Sequence, residues 1–315
     1  MNAQEFSNQR SAFDGWIGVA GMVLEVKRLR TRSGRPFTGL VVDQGGERFS
    51  VYGPADLGAG VHPGHLIEVE GQLRQAGSVT EVALHRWQLL EKSSVESAVQ
   101  LLPASVCPES ALTGLVALGE LERLLPFPLR GFLSRVLLDP RISRPFLRSR
   151  ASVRHHHAVE GGLLLHSTEL LPVIPALSAA LLPDEPEAWA YASLGYLLHD
   201  IGKVLTVGSE AFPAQLRNLR HESEGLWLLA PHLGWLETQD FSAAAVLRYI
   251  FDFVATPAAE RKQAKYLVAD MVVMLDRLSA GADRQRGLGD LLPMAVMGVA
   301  ANDPCYRKGH SHDQP

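Results

Sequence analysis

The chain has 315 residues, of which 46% are hydrophobic and 20% charged, with a formal net charge of -4. That length accommodates one large or two modest domains, and the balance is that of an ordinary globular protein. The slightly negative total excludes nucleic-acid binding through overall charge, so any basic surface has to be local.

Residues 13–92 read as β. "WIGVAGMVLEVKRL" mixes β-branched and small residues, and Gly18 and Gly21 predict a coiled or bulged strand. "PFTGLVVDQGGERFSVYG" reads as a hairpin turning at Gln44-Gly45-Gly46. "ADLGAGVHPG" reads as a short helix or turn, and "HLIEVEGQLRQAG" and "VTEVALHRWQLL" complete five strands. Five strands with an insertion between the third and fourth is the pattern of an OB-fold, an all-β barrel that binds oligonucleotides. The first inter-strand loop, "KRLRTRSGR", carries Lys27, Arg28, Arg30, Arg32 and Arg35 and no acid. Phe37, Phe49 and Tyr52 are either base-stacking rings or barrel core.

Residues 93–108 read as a linker. From 109 the periodicity becomes helical, with helices expected over 161–182, 187–199, 213–230, 241–254 and 258–281. The second domain, 109–302, is therefore expected to be all-α. The last residues, 303–315, read as a flexible tail in which His310 and His312 are incidental.

Two distant cysteines, Cys107 and Cys305, suggest no disulfide framework and a reducing compartment. The N-terminus lacks a secretory signal, and no apolar run is read as long enough to cross a bilayer. The expected location is the cytoplasm, with no membrane partner.

The chemistry concentrates in two stretches. "YLLHDIGKV" places His199 and Asp200 side by side at the end of an apolar helix. An imidazole nitrogen and a carboxylate oxygen suit one metal ion but do not complete its shell. His166, at the end of "RHHHAVEGGLLLHS", is the natural third ligand, and Asp276 in "MLDRLSAG" the natural fourth, with Asp270 in "LVADMV" as its competitor. A lone carboxylate on an otherwise apolar helix face needs a neutralising partner.

This order, His166, then His199-Asp200, then Asp276, resembles the HD superfamily of metal-dependent phosphohydrolases. Two groups within it are the most similar. The OB-fold/HD 3′→5′ exoribonucleases (YhaM-like) share the domain order. The TraI domain of MobH-type conjugative relaxases is similar in His155-His156-His157, "EGGLLLHS" and "DRLSAGAD". The resemblance implies an all-α HD domain after the barrel, and a divalent metal ion, Mn²⁺ first and Mg²⁺, Fe²⁺ or Zn²⁺ as alternatives. It also implies a site role for His221, on a second metal or on substrate phosphate. The histidine triplet is expected on a loop entering the same site, with His156 and His157 facing phosphate or a neighbouring ligand. Gly161-Gly162 is expected to let the backbone approach closely before the helix of His166. Lys203 is expected to neutralise charge on the phosphate. Arg148, Arg150 and Arg154, in "RISRPFLRSRASVR", are expected to hold a nucleic-acid backbone.

The function expected is a metal-dependent phosphodiesterase that degrades single-stranded RNA or DNA, in the 3′→5′ direction by resemblance, as a possible homo-oligomer. The alternatives are a relaxase-like DNA-processing protein and a small-nucleotide phosphohydrolase.

Overall fold

The computed structural model describes residues 15–76, 79–153, 157–207 and 219–288. Alternating apolar residues make five strands of its first part: β1 (Trp16–Arg30), β2 (Pro36–Gln44), β3 (Glu47–Pro54), β4 (Leu66–Ala76) and β5 (Val79–Leu89). They close into a barrel in the order β1-β2-β3-β5-β4, antiparallel except where β3 pairs with β5. The short helix α1 (Leu57–Gly60) lies between β3 and β4, which is the expected insertion and the OB-fold strand order. The β2–β3 turn falls at Gly45-Gly46, both with positive φ, as the hairpin signal required.

Two readings of this half need correction, at the glycines of β1 and at the first loop, and the choice left open for Phe49 is decided as barrel core. The irregularity in β1 lies between Val23 and Glu25, not at the glycines. Gly21 is needed because a Cβ there would run into the Asp43 carbonyl across the ladder. Phe49 points inward and is 3% exposed, among Leu40, Val42, Val51, Val69 and Val82. The parity of β3 thus removes it from any stacking platform. Phe37 and Tyr52 stay half-exposed, with ring centroids 6.1 Å apart. The first loop is also shorter than expected, because β1 runs to Arg30 and β2 begins at Pro36.

Residues 93–108 are not a loose linker. Ala98, Leu101 and Leu102 are buried. The buried Glu122 carboxylate accepts from Ser97 Oγ at 2.6 Å and from the Ala98 N–H at 2.6 Å. Met22 and Leu66 of the barrel belong to the same apolar core as the helices, so the two halves share buried surface.

The helical half comprises α2 (Leu112–Leu124), α3 (Leu129–Leu137), α4 (Ser143–Arg148), α5 (Gly162–Thr168), α6 (Ile174–Leu181), α7 (Ala188–Leu198), α8 (Lys203–Thr206), α9 (His221–Gln239), α10 (Phe241–Ala255) and α11 (Leu267–Leu288). No strand occurs there among the described residues, as expected of an all-α domain. The helix expected over 161–182 is two, broken by a turn at Leu171–Val173. Pro172 and Pro175 lack the N–H donors that a continuous helix needs. Gly162–Leu181 does have the length and mean hydropathy, 1.4, of a membrane-spanning helix, contrary to the reading of its apolar run. Here it is bent, and it buries His166, Ser167 and Thr168 in the helical core. The helix expected from 213 is described from His221, and the one expected from 258 starts at Leu267, after the turn that Pro257 begins.

α7 is buried on nearly every side, as a helix apolar all round must be. A Cβ on Gly195 would come within 2.8 Å of Val272 and 2.9 Å of Ile250, so α10 and α11 press closely on α7. That packing brings the end of α7 against the middle of α11. His310, His312, Cys305 and the tail 303–315 lie outside the described residues, and Cys107 is a half-buried free thiol.

Candidate metal centre

α5 delivers His166, the end of α7 delivers His199 and Asp200, and α11 delivers Asp276. One ligand atom from each lies within 4.8 Å of all the others. His166 Nε2 is 3.3 Å from His199 Nε2, 3.2 Å from Asp200 Oδ2 and 3.4 Å from Asp276 Oδ1. His199 Nε2 is 3.3 Å from Asp200 Oδ2 and 3.4 Å from Asp276 Oδ1. Asp276, not Asp270, reaches the cluster. Asp270 accepts from the Ala264 N–H at 3.0 Å and holds the start of α11.

The proton positions of the two rings are set from behind. His199 Nδ1 donates to the Tyr196 carbonyl at 2.6 Å. His166 Nδ1 lies 2.8 Å from Ser279 Oγ, and that hydroxyl donates to Glu169. The hydroxyl oxygen therefore accepts from His166. With its proton on Nδ1, a neutral His166 turns an unprotonated Nε2 toward the two carboxylates, and His199, whose Nδ1 is already a donor, holds either a second proton or a metal ion at Nε2. Lys203 donates to Asp200, and two carboxylates facing two imidazoles favour further positive charge at the centre.

The donor set fits a divalent ion. Ligand atoms about 2.0–2.1 Å from a common centre stand about 3.0–3.4 Å apart at right or tetrahedral angles, the spacing found here. Burial opposes charge on His199, yet Asp200 and Asp276 outweigh it and raise its pKa to about 10. The pocket calls for positive charge, supplied by a proton or a metal ion. Burial also works against Asp200 and Asp276, but the facing histidines, and Lys203 for Asp200, hold both well below the ordinary carboxylate range.

Around this centre the other expected residues divide. Lys203 Nζ is 2.5 Å from Asp200 Oδ2. Its ammonium thus engages a carboxylate of the cluster, where a role on phosphate had been expected. His221 Nε2 is 3.1 Å from Asp200 Oδ1 and lies on the more open side. A Cβ on Gly202 would collide with the His221 carbonyl, so that glycine lets α9 begin against the His-Asp pair. His157 is outside the four-residue cluster: its Nε2 is 3.3 Å from Glu169 Oε1. His155, His156 and Arg154 lie outside the described residues. Gly161 and Gly162 serve the expected close approach, with φ of 76° at Gly161 and the His157 carbonyl pressed on Gly162.

The basic residues are less uniform than their sequence. Lys27 pairs with Glu25 at 2.9 Å, and Arg148 with Glu160 at 2.5 Å. Arg30 donates to the Gly34 carbonyl at 3.0 Å and so closes its own loop. Arg28, Arg32, Arg35 and Arg150 are exposed.

Glu169, Ser279 and Tyr196 were missed by the sequence reading. Glu169 follows His166 by three residues, Ser279 follows Asp276 by three, and Tyr196 precedes His199 by three. Helix neighbours at that spacing share a face, so a search one turn from each ligand would have found them. The Tyr196 hydroxyl donates to the His166 carbonyl at 2.6 Å and ties α5 to α7.

No protein-family model and no curated protein matches the sequence. Among solved structures, two of the protein PriB from Ralstonia solanacearum, at 1.8 Å and 2.3 Å resolution, align with 12% and 14% identity. Each alignment covers 24% of this chain and 98% of that chain, with TM-scores of 0.22 and 0.21. At those values the likeness carries no argument, and the barrel is identified by its own strand order.

Proposed function

We propose that the chain is an HD-type metal-dependent phosphohydrolase that cleaves single-stranded nucleic acid. The observation that carries this reading is the convergence of His166, His199, Asp200 and Asp276, one ligand atom from each within 4.8 Å of all the others. Their order along the chain resembles the HD superfamily. A barrel followed by helices resembles its 3′→5′ exoribonucleases, from which the direction of digestion is taken. The mixed nitrogen and oxygen donors suit Mn²⁺, and also Mg²⁺, Fe²⁺ or Zn²⁺. A divalent ion held by these four residues supplies an activated water and a Lewis acid for attack on phosphorus.

The chain's own groups do the rest. Lys203 holds Asp200 in place and offsets its charge. His221, on the open side of Asp200, is placed to meet a phosphate oxygen. Arg28, Arg32 and Arg35, with the half-exposed Phe37 and Tyr52, offer the barrel cations for phosphates and faces for bases.

The test is digestion of single-stranded RNA and DNA labelled at the 5′ end, with Mn²⁺. The variant H199A/D200A is the blank. A ladder shrinking from the 3′ end, absent in the blank, is the expected result. A single fixed product or a protein–DNA adduct would replace it with the relaxase-like reading. Strands left intact, with a mononucleotide hydrolysed instead, would replace it with a small-nucleotide phosphohydrolase.

A further inference from the structure

A buried imidazole takes the tautomer that its neighbours can satisfy. His166 is fully buried. Its Nδ1 meets Ser279 Oγ at 2.8 Å, and Ser279 Oγ donates to Glu169 Oε1. Ser279 is itself 1% exposed. The hydroxyl has one proton. An ionised carboxylate can only accept, so that proton points at Glu169 and the serine oxygen faces His166 as an acceptor. The direction of the whole chain follows from the charge at its far end.

We propose that Glu169 and Ser279 are positioning residues, a carboxylate–hydroxyl relay that fixes His166 as its Nδ1–H tautomer and keeps Nε2 a lone-pair donor. The inference rests on the metal-dependent reading above and extends it to residues that touch neither metal nor substrate. Two stretches each supply a ligand and, three residues on, one member of the relay behind His166: His166 and Glu169 on the α5 side, Asp276 and Ser279 on α11. Groups behind a metal-binding histidine set its tautomer and its basicity. The same Glu169 Oε1 lies 3.3 Å from His157 Nε2, and the His157 ring stands beside that of His166 with centroids 5.9 Å apart, so His157 meets the relay at both its ends.

Glutamine in place of Glu169 separates this role from simple packing. Its amide can donate to Ser279 Oγ, which turns the serine proton toward His166 Nδ1 and leaves the ring proton on Nε2. The experiment is a long-range ¹H–¹⁵N spectrum of the full chain labelled at histidine, without added metal, followed by Mn²⁺ titration read from the free-ion EPR signal. Wild type is expected to show His166 as the Nδ1–H tautomer. E169Q is expected to reverse it and S279A to release it, and each should weaken Mn²⁺ binding by about 10–100-fold. S279T, which keeps the hydroxyl, restores both readouts and controls for a folding defect. An unchanged tautomer in both S279A and E169Q overturns the relay. A wild-type chain that binds no Mn²⁺, but whose tautomer still follows Ser279 and Glu169, upholds the relay and overturns the metal reading.

Discussion

Asp276 and Asp270 sit six residues apart on one helix, both read from the sequence as candidates for the same job. Their surroundings separate them. Asp276 faces two imidazoles, and Asp270 accepts a backbone N–H. D276A is therefore expected to abolish Mn²⁺ binding and also to lower stability at neutral pH, since the facing histidines hold its carboxylate well below the ordinary range. D270A is expected to keep the metal and lose about 1 kcal/mol of stability with its hydrogen bond. Calorimetric metal titration beside urea unfolding distinguishes the two. Away from the site, Asp139 accepts from His232 Nε2 at 3.0 Å and from Arg141 Nη2 at 2.7 Å. Burial opposes its ionisation, and these bonds outweigh it, so its pKa in the fold lies well below the ordinary range. A depressed carboxylate contributes stability that is complete above its unfolded pKa, about 3.9, and is lost as pH falls toward the folded value. D139N should cost about 1–3 kcal/mol at pH 7. The gap to wild type should close below about pH 4, as read from urea unfolding at a series of pH values.

At the scale of elements, α7 was legible because its apolar residues run all round and stop at His199-Asp200. The break between α5 and α6 was written in Pro172 and Pro175 but was overridden by the apolar periodicity around them. The connector 93–108 was misread because its serines and prolines look like a linker by composition. What orders it is Glu122, more than twenty residues away, which accepts two short bonds from Ser97 and Ala98. E122A strips a buried backbone donor of its partner. It is expected to cost about 1–3 kcal/mol and to open residues 93–97 to protease, which limited proteolysis followed by mass spectrometry detects.

Taken as a whole, the molecule joins a barrel and a helical body through one apolar core that includes Met22 and Leu66. The basic loop of the barrel keeps Arg28, Arg32 and Arg35 exposed, while Lys27 and Arg30 are engaged locally. If the first three meet phosphates, R28A/R32A/R35A should weaken single-strand binding. It should also lower the slope of log affinity against log salt by about 2, at about 0.7 per phosphate contact. Hydrolysis of a small phosphodiester should be unchanged. Fluorescence anisotropy across a salt series checks the first part and a chromogenic ester the second.

The sequence by itself determined what depends on neighbours along the chain. Alternation set the five strands, Gly45-Gly46 set the hairpin, and apolar helical periodicity with His166, His199-Asp200 and Asp276 at its edges marked the residues of the cluster. The tertiary structure decided what depends on partners distant in sequence. It turned Phe49 inward, because one residue of strand parity selects the face. It gave Arg148 to Glu160. It also set Ser279 of α11 between Glu169 and His166. Each of these needs two elements packed side by side. Local periodicity names the face a residue occupies, and only packing names the group it meets.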